Sequence, residues 1–322
     1  MIHYSYLLTM GIKDLNQYFI KNSKDAIQKI HLQTLADKVV AIDASIYIYR
    51  FLGEPDGLIP NLYSMVTTLL SYKIIPIFIF DGKTPVEKRP LVIRRRAEKK
   101  DAVEKYNALV DAAAAVGAAD ANAQEHPPSK REMEELRKKS IRLTYDDLDN
   151  AKLLLDAFGI SYTRAPGEAD ALCALLVKRG HAWACMSDDM DLFLYGCSRV
   201  LRYFNLYDHT ALIYDTCEIL VQLEMIEKDF VEAVVLTGTD YNASYENMTL
   251  VGSLAESRAK PGEMNLYDHL GISSGDKEVL YKICEIFHID NMVFDANSIS
   301  LKSPVANWKE IREFLKGWGF VF

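Results

Sequence analysis

Val39-Val40-Ala41-Ile42-Asp43 is the stretch of sequence that decides the fold: four apolar residues closed by an acid. A run this short and this apolar predicts a strand that is buried on both faces. Pro76-Ile77-Phe78-Ile79-Phe80, closed by Asp81, repeats the pattern and predicts a second buried strand. Between the two, apolar residues recur at the spacing of one helix face: Leu62, Met65, Val66, Leu69 and Leu70. Strand, helix and strand in this order indicate a parallel sheet.

Sheet patterning continues in the second half of the chain. Further strands are predicted at 160–164, 182–186, 200–204 and 211–214. Helices are predicted at 11–22, 149–158, 168–178 and 230–236. Strands that alternate with helices are typical of α/β proteins. We therefore predict an α/β fold with a mostly parallel central sheet flanked by helices, followed by a helical C-terminal region at 242–322.

The composition changes between residues 83 and 142. Residues 83–105 carry nine bases and only four acids, and residues 130–142 add six more bases. Between them, residues 108–126 hold nine alanines. This composition indicates a basic helical insertion with a flexible, alanine-rich middle rather than more sheet. The α/β core is accordingly predicted to comprise residues 10–82 and 143–241.

The overall charge does not predict a nucleic-acid partner. The 322 residues include 45 acids and 37 bases, a net charge of −8, which taken alone argues against nucleic-acid binding. The average hides the concentration of bases in the insertion. No apolar stretch approaches the ~18 residues of a membrane span, so no membrane association is expected. The five cysteines form no CxxC pair, which favours a reduced intracellular protein.

Acids follow the predicted strands at the points where the strands end. Asp43 and Asp81 each close a strand, and Glu168 and Asp170 open a helix directly after one. Further acids follow the next strand and an apolar helix: Asp188, Asp189, Asp191 and Asp240. In open α/β sheets, ligands bind at the carboxyl ends of the strands. We therefore expect these acids to meet at one edge of the sheet.

A cluster of this kind requires cations. For any single Asp, a role as a helix cap or turn residue is an ordinary explanation, but it explains the set poorly. Two carboxylates about 4 Å apart repel by roughly 4 kcal/mol at an effective dielectric constant near 20. Two divalent ions would offset such repulsion, and carboxylate oxygens suit Mg²⁺ or Mn²⁺. A two-metal site activates water for phosphodiester hydrolysis.

Six short motifs lie in order between residues 10 and 241. They are Met10-Gly11-Ile12, AIDAS (41–45), IFDGK (79–83), APGEADA (165–171), SDDMDLFLYG (187–196) and TGTDY (237–241). In kind and order they resemble the motifs of the flap endonuclease/XPG-type structure-specific 5′-nucleases. The resemblance implies a PIN-like fold, a monomer, hydrolysis of branched or single-stranded DNA in replication or repair, and a location in the nucleus or another site of DNA replication.

The resemblance also assigns the acids to two Mg²⁺ ions, for which Mn²⁺ can substitute. The first ion falls mainly to the acids of the first three strand ends: Asp43, Asp81, Glu168 and Asp170. The second ion falls mainly to Asp189, Asp191 and Asp240, partly through water. Asp170 is a conservative departure, because flap endonucleases usually have Glu at that position.

In the family, the basic insertion is an arch through which a 5′ single strand passes. By spacing after Asp-Gly-Lys, the residues that contact the scissile phosphate are Lys88 and Arg95. Lys99 follows Arg95 by four residues, so one helix would present these bases on the same side. Arg94 and Arg96 are further candidate substrate-binding residues. A solvated, charge-rich helix is the plainer explanation of such a run.

Two further predictions concern the entry to this arch. Pro90 disfavours helical backbone at the residue before it, so the arch helix is expected to begin at or after Pro90. The family's stacking aromatic matches Tyr49, for which a base platform and a core aromatic are equally good explanations.

The chain departs from the family at three places. The family's Met-Gly-Ile start lies at Met10, so either translation starts at Met10 or residues 1–9 are an unusual extension. The glycine-rich helix–two-turn–helix that grips the downstream duplex does not follow Tyr241, which leaves the duplex-binding mode open. No sliding-clamp peptide is recognisable near the C-terminus. An RNA endonuclease of the same fold and a non-catalytic nucleic-acid-binding scaffold therefore remain alternatives.

Overall fold

The computed structural model describes residues 12–116, 130–295, 299–301 and 303–322. The predicted N-terminal extension at 1–9, the start of the first motif at Met10-Gly11 and most of the predicted alanine-rich flexible segment lie outside the described residues.

The described residues form one seven-stranded sheet whose strand order is β1-β7-β6-β5-β2-β3-β4. The strands are β1 (Ile27–His31), β2 (Val39–Asp43), β3 (Ile75–Phe80), β4 (Ser161–Arg164), β5 (Ala184–Met186), β6 (Arg199–Asn205) and β7 (Thr210–Asp215). Neighbouring strands from β4 to β6 are parallel, and β7 pairs antiparallel with both β6 and β1. The predicted mostly parallel sheet is confirmed.

Helices cover both faces of this sheet. They are α1 (Leu15–Asn22), α2 (Ala44–Gly53), α3 (Leu58–Ser71), α4 (Arg89–Val116), α5 (Lys130–Ser140), α6 (Tyr145–Ala157), α7 (Ala169–Lys178), α8 (Asp191–Leu194), α9 (Thr216–Gln222), α10 (Glu227–Leu236), α11 (Leu250–Ala259), α12 (Leu266–His269), α13 (Ser274–Ile286) and α14 (Trp308–Lys316). None of the described helices combines the length and apolarity that a membrane crossing requires.

The two central strands contribute to two separate hydrophobic cores. Ala41 and Ile77 pack into the core on one face, together with α7 and α10. Ile42 and Phe78, their neighbours in sequence, pack into the core on the other face with α2, α3 and α6. Side chains alternate between the faces of a strand, so a strand covered on both faces must be apolar throughout. This explains the uninterrupted apolar runs in the sequence.

The structure differs from the sequence-based expectations at some element boundaries. Helix α6 begins at Tyr145, four residues before the predicted start, because Thr144 caps it and forms a capping box with Asp147. Helix α4 begins at Arg89 rather than at or after Pro90, and its first bond runs from Val92 N–H to the carbonyl of Lys88. A proline is tolerated in the first turn, where its missing N–H would have no helical acceptor.

Strand β1 is an element that the sequence patterning did not predict. It is an edge strand that pairs antiparallel with β7, and polar residues make up most of it. An edge strand needs little apolar surface, so it leaves no continuous apolar run in the sequence.

Candidate active site

The first two acids close neighbouring parallel strands. Asp43 is the last residue of β2 and Asp81 directly follows β3, and because these strands pair in parallel, both carboxylates emerge at the same edge. Asp43 caps helix α2 by accepting a hydrogen bond from the backbone N–H of Ser45 (3.1 Å). It also accepts one from the hydroxyl of Ser187 (3.1 Å), which follows β5. The Ser45 hydroxyl in turn donates to Asp81 (2.5 Å).

A close backbone approach ties the end of β3 to the start of α7. The N–H of Gly82 donates to the carbonyl of Gly167 (2.7 Å). A Cβ atom at position 82 would lie 1.8 Å from the carbonyl oxygen of Ala165, so only glycine fits there. The Asp81 carboxylate accepts a hydrogen bond from the N–H of Ala169 (2.9 Å), the first residue of α7. The two motifs are thereby held side by side.

Helix α7 begins between two further acids. Glu168 precedes the helix, and its carboxylate accepts hydrogen bonds from Lys88 (2.7 Å) and from the hydroxyl of Tyr241. Asp170 is buried in the first turn and accepts a hydrogen bond from the N–H of Ala171 (2.7 Å). Burial raises the pKa of Asp170 well above its usual range, and the neighbouring carboxylates add to the shift.

The loop after β5 supplies two acids that are linked to each other. The N–H of Asp191 donates to the carboxylate of Asp189 (3.0 Å), and the N–H of Asp189 donates to the Ser187 hydroxyl (3.2 Å). Asp191 is buried, and within the described part of the chain neither of its carboxylate oxygens has a hydrogen-bond partner. This is an unfavourable state for a carboxylate unless a positive charge compensates it.

Burial and mutual repulsion raise the pKa values of acids at this edge. Burial raises the pKa of Asp43 to about 8, and the charges of Asp81 and Asp189 contribute to the increase. Burial likewise raises the pKa of Asp191 well above its usual range, with contributions from Asp189 and Asp240. Acids from separate segments of the chain therefore lie close enough to repel one another.

Two bases from the start of α4 reach these acids. The Lys88 ammonium lies 2.7 Å from Glu168 and 3.0 Å from Asp240, and Arg95 lies 3.1 Å from Asp240. Burial lowers the pKa of Lys88, but the charges of Glu168 and Asp240 outweigh that effect and raise it above its usual value. Lys88 is therefore a buried, permanently charged ammonium, whereas the Arg95 side chain is about half exposed.

The acids alone do not form a complete metal site. Among the described residues, no three His, Cys, Asp or Glu side chains are arranged so that they could hold one metal ion together. The donor chemistry nevertheless fits divalent cations, because Mg²⁺ and Mn²⁺ prefer carboxylate oxygens. The unpartnered oxygens of Asp191 and the raised pKa values are both conditions that a divalent cation would relieve.

The remaining predicted substrate-binding residues lie outside this acidic cluster. Tyr49 on α2 is 41% exposed, and the Lys99 ammonium lies 5.6 Å from the centre of its ring. Lys99 is thus brought to Tyr49 rather than to the acids. Arg94 and Arg96 are exposed on the same turn of α4, and Arg94 pairs with Glu98 (3.6 Å).

Sequence reasoning missed several residues that shape the site. Tyr241, directly after Asp240, contacts Glu168, and its hydroxyl lies 3.3 Å from that of Tyr195. Ser187 links the loop after β5 to Asp43. Both residues lie inside the quoted motifs, so their positions were a usable signal. Their hydrogen bonds could not be predicted, because a motif does not show which side chains meet.

Two family models match the chain: the XPG N-terminal domain over residues 10–102 and the XPG I-region over residues 159–240. Flap endonuclease 1 of Lodderomyces elongisporus is 30% identical over 250 residues, which cover 72% of this chain and 61% of the relative. The chain thus spans about three fifths of the length of such relatives.

Solved structures share the fold. The catalytic core of Rad2 in complex with DNA substrate is similar with a TM-score of 0.67 and 23% identity, covering 94% of this chain and 95% of that one. Flap endonuclease-1 from Methanococcus jannaschii is similar with a TM-score of 0.63 and 26% identity, covering 91% of each chain.

Proposed function

Because the chain belongs to the flap endonuclease/XPG-type family, we propose that it is a metal-dependent, structure-specific 5′-nuclease that hydrolyses phosphodiester bonds in branched or single-stranded DNA. One observation carries the proposal: Lys88, directly before helix α4, and Arg95 within it reach the acids at the carboxyl edge of the sheet. Groups suited to phosphate and groups suited to metal ions therefore meet in one place. A role in DNA replication or repair, in the nucleus or another site of DNA replication, is part of the proposal.

Two cations, Mg²⁺ or in its place Mn²⁺, are the proposed cofactors. We assign the first to Asp43, Asp81, Glu168 and Asp170. We assign the second to Asp189, Asp191 and Asp240. When bound, such a pair supplies activation of a water molecule and stabilisation of the leaving oxygen in phosphodiester hydrolysis.

The chain's own residues prepare this site in two ways. Ser45, Ser187 and the N–H of Ala169 hold the carboxylates of Asp43 and Asp81 in fixed orientations, which avoids the cost of ordering them when substrate binds. Lys88 and Arg95 supply positive charge for the phosphate that is cleaved, and preorganised charge of this kind stabilises the transition state. Arg95 adds a planar donor group that can bind two phosphate oxygens at once.

Tyr49 and Lys99 form a second contact surface for the substrate. The exposed ring of Tyr49 can stack on a nucleobase, and the Lys99 ammonium beside it suits a backbone phosphate. Arg94 and Arg96 point to solvent from the same helix, where they would contact further phosphates of a single strand.

The family's glycine-rich, duplex-gripping motif does not follow Tyr241 in the sequence. Two bases there are engaged within the protein: Lys260 pairs with Asp229 (3.0 Å), and Arg258 donates to the Tyr18 hydroxyl (3.3 Å). An RNA endonuclease of the same fold is therefore the second candidate. No clamp partner is proposed, and we expect the protein to act as a monomer.

Cleavage of a substrate panel tests the proposal. A 5′-flap DNA, a single-stranded DNA and an RNA of matched structure are incubated with the protein in Mg²⁺ and in EDTA. We expect cleavage of the DNA substrates in Mg²⁺ only, and its loss in Asp189→Ala but not in Asp25→Ala, a change of an exposed acid. Preferential cleavage of RNA would support the second candidate. Equal cleavage in EDTA, or by Asp189→Ala, would refute the metal assignment.

A further inference from the structure

Asp188 is buried directly beside the acids of the loop after β5. No metal ion is assigned to it. Its side chain is completely inaccessible to solvent and forms an ion pair with Arg50 of helix α2. The other carboxylate oxygen accepts a hydrogen bond from the backbone N–H of Tyr203 in β6 (2.8 Å). Both oxygens are therefore occupied by protein groups, and Asp188 is not a free ligand for a cation.

The N–H group that Asp188 uses comes from a strained position. Tyr203 has a φ angle of 54°, and the pairing of β6 with β7 is irregular between Arg202 and Asn205. A left-handed backbone is unfavourable for a residue with a side chain, so it persists only where surrounding contacts enforce it. Irregular strand positions of this kind re-aim groups beside functional sites. Here the irregularity turns the Tyr203 N–H toward Asp188.

A second arginine holds the backbone of Asp188. Arg202 is almost completely buried, and it donates to the carbonyl oxygen of Asp188 (2.9 Å) and to the side chain of Asn16 (2.5 Å). Its guanidinium lies 4.9 Å and 5.3 Å from the ring centres of Tyr203 and Tyr214. Two arginines and one backbone N–H thus fix both the side chain and the carbonyl of Asp188.

The residues that follow inherit this fixed position. Asp189 is bonded to Asp188 through the carbonyl that Arg202 holds, and the Asp189 carboxylate accepts the N–H of Asp191. We propose that Asp188, held by Arg50 and Arg202, is a positioning residue that orients the Asp189–Asp191 pair toward a divalent cation. The inference rests on the proposed function, because it assigns those two acids to a metal site.

A buried ion pair is usually a less effective way to stabilise a protein core than apolar packing. Removing charges from water is costly, and apolar side chains of similar volume usually stabilise a core as well or better. Groups that orient metal ligands, by contrast, commonly change metal affinity when they are replaced. The two roles therefore predict different measurements.

Mn²⁺ binding to the full 322-residue chain, without nucleic acid, distinguishes a positioning role of Asp188 from a purely stabilising one. Asp188→Asn keeps the shape of the side chain and its acceptor for the Tyr203 N–H, but it removes the charge that pairs with Arg50. We expect Mn²⁺ binding, measured by electron paramagnetic resonance of the free ion, to weaken about 10- to 100-fold. The matched control is Asp229→Asn, which breaks the partly buried pair with Lys260 elsewhere in the fold and should leave Mn²⁺ affinity unchanged.

Two additional measurements cover the case in which Asp188→Asn does not fold and the mobility of the loop itself. If Asp188→Asn does not fold, Arg50→Lys, which keeps the charge but loses the planar donor group, should still weaken Mn²⁺ binding; parental affinity in Arg50→Lys would overturn the proposal. Amide hydrogen exchange at residues 189–191 should accelerate in Asp188→Asn and not in Asp229→Asn. If the parental chain binds no Mn²⁺, the proposed metal site fails, and the exchange rates alone decide whether Asp188 positions this loop. Equal affinity and equal exchange in the two Asn variants would overturn the inference.

Discussion

Lys88 and Glu168, which are 80 positions apart in the sequence, form an ion pair with 2.7 Å between Nζ and Oε1. The same ammonium lies 3.0 Å from Asp240. One side chain directly before helix α4 therefore joins the acid before α7 to the acid after α10. This contact places positive charge where the proposed reaction needs it.

Replacing this ammonium should impair cleavage strongly. In Lys88→Met we expect the kcat for a 5′-flap DNA to fall roughly 10²- to 10³-fold, because a preorganised charge at the reacting phosphate is lost. Multiple-turnover cleavage at saturating 5′-flap DNA measures this kcat. The control is Lys100→Met on the same helix, whose side chain is largely exposed. Equal rates in the two variants would show that Lys88 does not act on the phosphate.

The close approach at Gly82 should make this position intolerant of any side chain. Gly82→Ala would place a methyl group 1.8 Å from the Ala165 carbonyl oxygen, so the backbone must shift. We expect a loss of about 1–3 kcal/mol in the free energy of unfolding, measured with denaturant, together with reduced cleavage. Gly167→Ala is the control, because a Cβ atom there meets no atom within 4 Å. Equal stability of the two variants would contradict the backbone contact.

The Tyr241 hydroxyl should contribute to activity without contributing much to the fold. Tyr241→Phe removes its hydrogen bonds to Glu168 and Tyr195 but keeps the ring against Phe287. We expect Mg²⁺-dependent cleavage to fall about 10-fold or more, since partners of metal-binding groups usually have effects of this size. Titrating Mg²⁺ in the cleavage assay checks it. Tyr245→Phe, which loses a hydrogen bond from the hydroxyl to Asp276 (3.5 Å) outside the acidic cluster, should behave like the parental protein.

The ring of Tyr49 should matter for nucleic-acid binding, and its hydroxyl should not. Stacking on an aromatic ring contributes about 1–3 kcal/mol per base. Tyr49→Ala should therefore weaken binding of a fluorescent single-stranded DNA by about that amount, whereas Tyr49→Phe should bind normally. Fluorescence anisotropy in EDTA measures both without cleavage. Similar loss in the two variants would point to the hydroxyl group instead of stacking.

The cysteines should differ sharply in reactivity. Cys217 is exposed, whereas burial raises the pKa of the Cys173 thiol to about 11. A thiol reacts as its thiolate, so at pH 8 a disulfide reagent should modify Cys217 first and leave Cys173 unmodified until the protein unfolds. Cys217→Ser should remove the fast phase of the reaction. Rapid modification of Cys173 in the folded protein would contradict its buried position.

Short apolar runs closed by acids were enough to predict the centre of this fold. The runs that end in Asp43 and Asp81 must be buried on both faces, and this requirement is visible in the sequence itself. Strand β1 could not be predicted in this way, because an edge strand can be mostly polar. The capping box at Thr144 was not predicted from the sequence, so the predicted start of α6 was four residues late.

The candidate site, too, could be predicted only in part. The positions of its acids follow from strand ends, and their assignment to metal ions stays a prediction. The pair of Arg50 and Asp188, by contrast, joins residues 138 positions apart. No periodicity or motif spacing encodes such a contact, because it arises only when α2, β5 and β6 pack together. The left-handed backbone of Tyr203 is equally invisible, since tyrosine is an unusual residue for that conformation.

The backbone bonds from Phe80 to Ala165 and from Gly82 to Gly167 close the core beneath the basic segment. The end of β3, where the chain leaves the core, is therefore fastened to the segment between β4 and α7. These backbone bonds are formed by residues outside the basic segment at 83–142. A shorter, longer or differently charged replacement beyond Arg95 is expected to alter which nucleic acids are admitted, while Lys88 and Arg95 keep their contacts with Glu168 and Asp240.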